Sequence, residues 1–164
     1  MDKYIINGGN KLYGEVRVQT AKNSVLPILA AAVLTDGEVR ILNAPHISDV
    51  KNMVNILACL GCRAVYDGED IVINCSSADC CEIPRALAHE LRSSVFLLGP
   101  VIARFGMAKI AYPGGCDIGC RAIDQHIKGF KALGASVSIA HGMITAEAPR
   151  LTGAHIYLDV VSVG

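Results

Sequence analysis

The sequence predicts an α/β fold built from repeated units of about seventy residues. A Ser-Val pair recurs at a spacing near seventy, in Lys22-Asn23-Ser24-Val25, Arg92-Ser93-Ser94-Val95 and Val160-Val161-Ser162-Val163. The elements after the first two recurrences keep one order: helix, strand, helix, strand, strand. Composition agrees, since 52% of residues are hydrophobic and 18% charged, an excess that predicts elements covered on both faces. Aromatics supply only 5%, so Ala, Val, Ile and Leu must fill the core.

Residues 1–21 read as strands, with Asn7-Gly8-Gly9-Asn10 as a turn between them. Lys22 then opens an apolar helical run that extends to Leu34. Gly37, the strand-like Glu38-Val39-Arg40-Ile41 and Pro45 follow. Ile47, Val50, Val54, Leu57 and Leu60 recur at helical spacing. Leu60-Gly61 ends that helix, with glycine as the left-handed cap. Ala64-Val65-Tyr66 and Ile71-Val72-Ile73 are short strands. The second unit repeats this order. A helical run follows Arg92, then come Gly106, the strand Met107-Ala108-Lys109-Ile110 and Pro113. Ile123, Ile127, Phe130 and Leu133 mark its second helix, and Leu133-Gly134 the end of it. The strands Ser136-Val137-Ser138-Ile139 and Met143-Ile144-Thr145 complete it. The units therefore span residues 22–91 and 92–159. A third opens at Val160, which predicts a chain that continues past Gly164.

Fifteen basic residues balance fifteen acidic ones, and no basic stripe is present, which argues against nucleic acid as a partner. The N-terminus lacks an apolar signal core, and the run from Ser24 to Leu34 is too short for a bilayer. A cytoplasmic protein with no membrane partner is expected. In that compartment the seven cysteines should be free thiols, most of them buried as small hydrophobes, without a disulfide framework.

Two features carry chemistry. Lys22 and Arg92 each precede an apolar helix, with Asn or Ser next in line to cap the first turn. A helix start exposes unpaired N–H groups and the positive end of the dipole. A cation beside it calls for an anion between them, so the two starts predict a phosphate- or carboxylate-binding face. The second feature is Pro113-Gly114-Gly115-Cys116-Asp117-Ile118-Gly119-Cys120-Arg121, a glycine-rich loop between a strand and a helix. Loops so placed often close over ligands. The loop carries a basic residue and lies just before a helix start, and both favour a thiolate. Cys116, flanked by Gly114-Gly115, is read as the reactive thiol and Cys120 as incidental. Cys59 and Cys62 have CxxC spacing but no second ligand pair, and Cys80-Cys81 are poor co-ligands, so no metal site is expected. His46, His89, His141 and His155 are scattered and receive no role.

Lys22-Asn23-Ser24-Val25-Leu26-Pro27, Arg92-Ser93-Ser94, Pro113-Gly114-Gly115-Cys116, Arg121-Ala122-Ile123-Asp124 and Gly153-Ala154-His155 resemble, in the same order, the UDP-N-acetylglucosamine 1-carboxyvinyltransferases. These are the enolpyruvyl transferases of peptidoglycan synthesis. The resemblance spans residues 1–164. It implies an inside-out α/β barrel of the enolpyruvyl transferase type, cut at the start of its third unit. Residues 1–21 would be strands of a second domain, and residues 22–164 most of the first.

The resemblance also implies an activity: transfer of enolpyruvyl from phosphoenolpyruvate to the 3-hydroxyl of UDP-N-acetylglucosamine, with release of phosphate and no cofactor. Cys116 would be the general acid, able to form an adduct with phosphoenolpyruvate and to react with fosfomycin. Lys22, Asn23 and Arg121 would hold phosphoenolpyruvate. Asn23, Arg92, Arg121, Ala122, Ile123, Asp124, Gln125, Val160, Val161, Ser162 and Val163 would contact the sugar nucleotide, and His126 would support the loop. Some relatives carry lysine where Val160 stands, which removes one diphosphate contact. The family's general-base aspartate and a closing arginine fall beyond residue 164. This stretch alone is therefore expected to be inactive, and its partner would be the remainder of its own chain. The alternatives are a non-catalytic binding module of the same fold, the shikimate-pathway enolpyruvyl transferase, whose loop has no acid cysteine, and a thiol-based redox or metal protein.

Overall fold

The computed structural model describes residues 3–112 and 123–161. Its elements are α1 (Lys22–Ala31), β1 (Glu38–Ile41), α2 (Ser48–Cys59), β2 (Arg63–Asp67), β3 (Asp70–Asn74), β4 (Glu82–Ile83), α3 (Arg85–Glu90), α4 (Leu98–Phe105), β5 (Met107–Ala111), α5 (Asp124–Ala132), β6 (Ser136–Ala140) and β7 (Met143–Glu147). Two 3-10 helices, Ala32–Leu34 and Arg92–Leu97, extend α1 and precede α4.

The repeat is visible in the sheets. One has strand order β1-β3-β2, and the other β4-β5-β7-β6. In each unit the first and second strands flank the third, and both pair antiparallel to it. The short β4, parallel to β5, has no counterpart in the first sheet. The helix ends repeat as well. Gly61 and Gly134 take positive φ, 88° and 91°, just past α2 and α5. The returning chain donates N–H to the last turn in both units: Asp79 to the Leu60 carbonyl at 3.2 Å and Thr152 to that of Leu133 at 2.9 Å.

Helical spacing turns one apolar face inward. Val25, Leu26, Leu29 and Ala30 of α1 are buried, as are Val50, Met53, Ile56 and Leu57 of α2. They share one core with Ile71 and Ile73 of β3, Leu98, Val101 and Ile102 of α4, and Ile110 and Ile144 of the second sheet. Each such side chain contributes on the order of 1.5–3 kcal/mol through its burial.

Four expectations need correction. The sheets bury one face, because the antiparallel strands alternate: β3 places Ile71 and Ile73 inward, with Asp70, Val72 and Asn74 only half-buried. Residues 3–21 form no strand. Tyr4, Ile5, Ile6, Leu12, Tyr13, Val16 and Val18 are exposed there, and a strand requires a ladder partner that the described residues do not provide. The run after Arg92 opens as a 3-10 helix, and α4 begins only at Leu98, with Pro100 in its first turn, where a missing N–H is tolerated. Cys62 and Cys75 are bonded to each other rather than free, and the free cysteines among the described residues, Cys59, Cys80 and Cys81, are exposed or half-buried.

Candidate functional site

Lys22 is the first residue of α1, with Ala21 as its N-cap in extended conformation. No side chain caps this helix. Ser24 Oγ instead donates back to the Ala21 carbonyl at 2.8 Å, so the expected Ser or Asn cap does not form. Asn23 is exposed beside Lys22. Pro27, inside α1, has no N–H to offer the Asn23 carbonyl four residues back.

Lys22 Nζ lies 2.6 Å from Oδ2 of Asp49, an ion pair that the sequence reading missed. Asp49 sits in the first turn of α2, where the dipole favours a carboxylate. The two helix starts thus bring a cation and an anion together. Arg92 is half-buried and opens the 3-10 helix that packs on α1. Its unit therefore lacks the α-helical start that was expected beside the cation. The signal for Asp49 was present in the sequence, as an acidic residue at N2 of a predicted helix, but its partner lies 27 residues away.

A second group forms at the start of α5. Ile123 is buried, Asp124 and His126 are exposed, and Gln125 is half-buried. Gln125 Nε2 donates to Asp124 Oδ2 at 2.9 Å and to Asp159 Oδ2 at 3.3 Å. The Asp159 N–H donates to Gln125 Oε1 at 3.0 Å. Lys128 completes the group through its bond to Asp159 Oδ1. Lys128, then Gln125, hold the Asp159 carboxyl below its ordinary pKa. Gln125 and Lys128 therefore fasten Asp159 onto α5, and Val160 and Val161, next in the chain, are exposed.

Cys116, Arg121, Ala122, Ser162 and Val163 lie outside the described residues, as do Pro113 to Cys120 as a whole. The connection that holds Cys116, Arg121 and Ala122 differs in length from its counterpart in the first unit. Six residues (42–47) join β1 to α2, whereas twelve (112–123) join β5 to α5. A cavity of about 760 Å³ lined by Arg104, Met107, Glu147 and Leu151 contains none of the expected site residues. No group of three His, Cys, Asp or Glu gathers among the described residues, and no helix among them is long and apolar enough to cross a membrane.

Residues 6–164 match the family described as EPSP synthase (3-phosphoshikimate 1-carboxyvinyltransferase). The chain is 48% identical over 164 residues to UDP-N-acetylglucosamine 1-carboxyvinyltransferase 2 of Caldanaerobacter subterraneus subsp. tengcongensis, and 43% identical to the protein of that name from Carboxydothermus hydrogenoformans. In both cases the match covers 100% of this chain and 39% of the relative. Among solved structures, the enolpyruvyl transferase NikO from Streptomyces tendae superposes with a TM-score of 0.74 at 31% identity, over 88% of this chain and 32% of that one. EPSP synthase from Acinetobacter baumannii superposes at 0.54 with 17% identity, over 87% and 35%, a likeness of fold alone.

Proposed function

This chain belongs to the EPSP synthase (3-phosphoshikimate 1-carboxyvinyltransferase) family, and on that premise we propose that it is part of a UDP-N-acetylglucosamine 1-carboxyvinyltransferase. The protein transfers the enolpyruvyl group of phosphoenolpyruvate to the 3-hydroxyl of UDP-N-acetylglucosamine and releases phosphate, a cytoplasmic step of peptidoglycan synthesis. The observation that carries the proposal is the end-to-end identity of 43–48% to relatives of that name. The shikimate-pathway reading shares the family match and a fold likeness at 17% identity, but the relatives at 43–48% identity carry the other name.

The chemistry requires an acid at the vinyl carbon, a base at the sugar hydroxyl and cations around a departing phosphate. A proton added to the vinyl carbon lets the sugar oxygen attack the neighbouring carbon. Loss of that proton and of phosphate then restores the double bond. Cys116 donates the proton. Lys22 and Arg121 balance the phosphate and carboxylate charge, and Asn23 orients the substrates. Arg92, the 121–125 turn and the 160–163 strip hold the nucleotide sugar, and His126 supports the loop. The Gln125–Asp159 bonds support this reading, because they join Gln125 to the residue that precedes Val160 in the chain.

Fosfomycin exposure followed by peptide mass spectrometry tests the proposal. The expected result is a single adduct on Cys116 whose rate depends on UDP-N-acetylglucosamine. Labelling spread over Cys59, Cys80 and Cys81, indifferent to the nucleotide sugar, would refute it.

A further inference from the structure

We propose that Asp49 is a positioning residue for phosphoenolpyruvate: its carboxylate holds the Lys22 ammonium in the orientation that receives the substrate's anionic groups. The inference rests on the enolpyruvyl transfer proposed above and adds to it a residue that contacts no substrate itself.

The geometry carries it. An ammonium at the first residue of a helix faces the positive end of that helix's dipole, an unfavourable place for a flexible cation. Lys22 occupies it, and Asp49 Oδ2 stands 2.6 Å from its Nζ. Asp49 belongs to the first turn of α2, whose own N–H groups and dipole favour its charge. The positive end of α2 holds the carboxylate, and the carboxylate holds the ammonium. The frame is rigid, because α1 and α2 pack together and Val25, Leu26 and Leu29 of α1 and Val50, Met53 and Leu57 of α2 are buried in the same core. The Lys22 side chain remains 52% exposed, so solvent and ligands can reach it, whereas that of Asp49 is 29% exposed. The pair therefore constrains the direction of the Lys22 side chain, and an ordered donor loses less entropy when it takes up an anion.

The second unit has an acid at the equivalent helix start, Asp124 of α5, but its described partner is Gln125 rather than a cation.

The experiment is steady-state kinetics of the whole enzyme of which this chain is proposed to be part, with Asp49→Asn, Asp49→Ala and Asp49→Glu. Asp49→Asn and Asp49→Ala should raise KM for phosphoenolpyruvate about tenfold, equivalent to ~1.4 kcal/mol. KM for UDP-N-acetylglucosamine should stay within about twofold, since a purely structural loss would move both substrates together. Asp49→Glu keeps the charge at the helix start and should recover most of the difference. An unchanged KM for phosphoenolpyruvate would overturn the inference, and so would a lowered one, because a lowered value means that Asp49 competes with the substrate. Should the variants unfold, the rate of Lys22 acylation relative to Lys51 in the parent decides: a ratio near one means the amine is not held and overturns the proposal. A whole parent enzyme that turns over neither substrate removes the proposed function and this inference together. A parent that turns over both with an unmoved phosphoenolpyruvate KM in the variants removes the inference alone.

Discussion

Arg104 joins the two units, and its removal should cost more stability than any other single surface-reaching contact described above. The residue lies in the last turn of α4, and its side chain is only 16% exposed. Nη1 donates to the Val33 carbonyl at 2.7 Å and the Thr35 carbonyl at 3.0 Å. Nη2 donates to the Cys75 carbonyl at 2.9 Å and to Asp36 Oδ1 at 2.8 Å. One guanidinium of the second unit thus ties down the turn after α1 and the end of β3, both in the first unit. Asp36 is 89% exposed, so its ion pair contributes little. The Val33 and Cys75 carbonyls are part-buried and would be left without this donor. A hydrogen bond from a charged donor contributes roughly 1.5–3 kcal/mol, so two such bonds at the low end give about 3 kcal/mol for Arg104→Met. Lys at this position supplies a point charge in place of a planar fork, so Arg104→Lys should lose about half as much. Urea unfolding followed by circular dichroism measures this. With a slope near ~2 kcal/mol/M, Arg104→Met should lower the midpoint by about 1.5 M and Arg104→Lys by about 0.7 M, at constant slope. Asp36→Asn should move it by less than about 0.3 M. If Arg104→Met unfolds within about 0.3 M of the parent, the clamp is not what holds the units together.

Two further outcomes follow from local geometry. Gly61 and Gly134 are repeat equivalents with nearly equal φ, yet a Cβ on Gly61 would meet the Ser77 backbone oxygen at 2.9 Å, whereas one on Gly134 would meet only the Thr152 hydroxyl at 3.4 Å. Gly134→Ala should therefore cost about 1 kcal/mol for its positive φ, and Gly61→Ala at least about twice that; equal losses in thermal or urea unfolding would show that backbone crowding at Ser77 is unimportant. Asp70 accepts the Asn43 N–H and an Arg40 bond, each at 3.0 Å, and these lower its pKa in that order of strength. A carboxyl depressed in the folded state adds stability that is present above its unfolded pKa of about 3.9 and is lost as pH falls through the lower folded value. Asp70→Asn should accordingly melt below the parent at pH 7, with the gap closing below about pH 4, and a gap that stays constant into acid would refute the linkage.

What was legible in the sequence is what short-range periodicity encodes. The spacing of Val50, Leu57 and Leu60 gave α2, and all three are buried. Alternation at Ile71 and Ile73 gave β3, with both side chains turned inward. The α5 stripe was found as well, although Ile127, Phe130 and Leu133 are only half-buried, because this helix has no buried face among the described residues. The contacts that shape the candidate site were not legible. Lys22 meets Asp49 across 27 residues, and Gln125 meets Asp159 across 34. No local pattern specifies such partners; they follow from how α1 lies on α2 and how the chain returns past α5. The Arg92 run was misread because an apolar stretch looks alike as a 3-10 or an α-helix, and Pro100 was the local sign that the α-helix starts late.

The Cys62–Cys75 bond is the instructive miss, since its ingredients were all in view. Both strands were recognised, and Gly68-Glu69 between Asp67 and Asp70 is a two-residue hairpin turn, with Gly68 at φ 63°. Such a turn fixes the register: Asp67 pairs with Asp70 and Arg63 with Asn74, so Cys62 must stand opposite Cys75, and their Cα atoms are 4.2 Å apart. An argument from compartment predicts whether an oxidant is available, but the distance between two thiols is set by the hairpin. The second unit shows what the position itself requires. His141 and Gly142, both at positive φ, turn β6 into β7, and Ser136 pairs with Glu147. Ala135 and Ala148 therefore fall at the places of Cys62 and Cys75, and both are buried, at 6% and 1% exposure. The repeat thus calls for two small apolar side chains at the base of each hairpin, beneath the end of its helix. Alanine meets that requirement in one unit. Cysteine meets it in the other, where the same closeness that suits small side chains also brings the two sulfurs together.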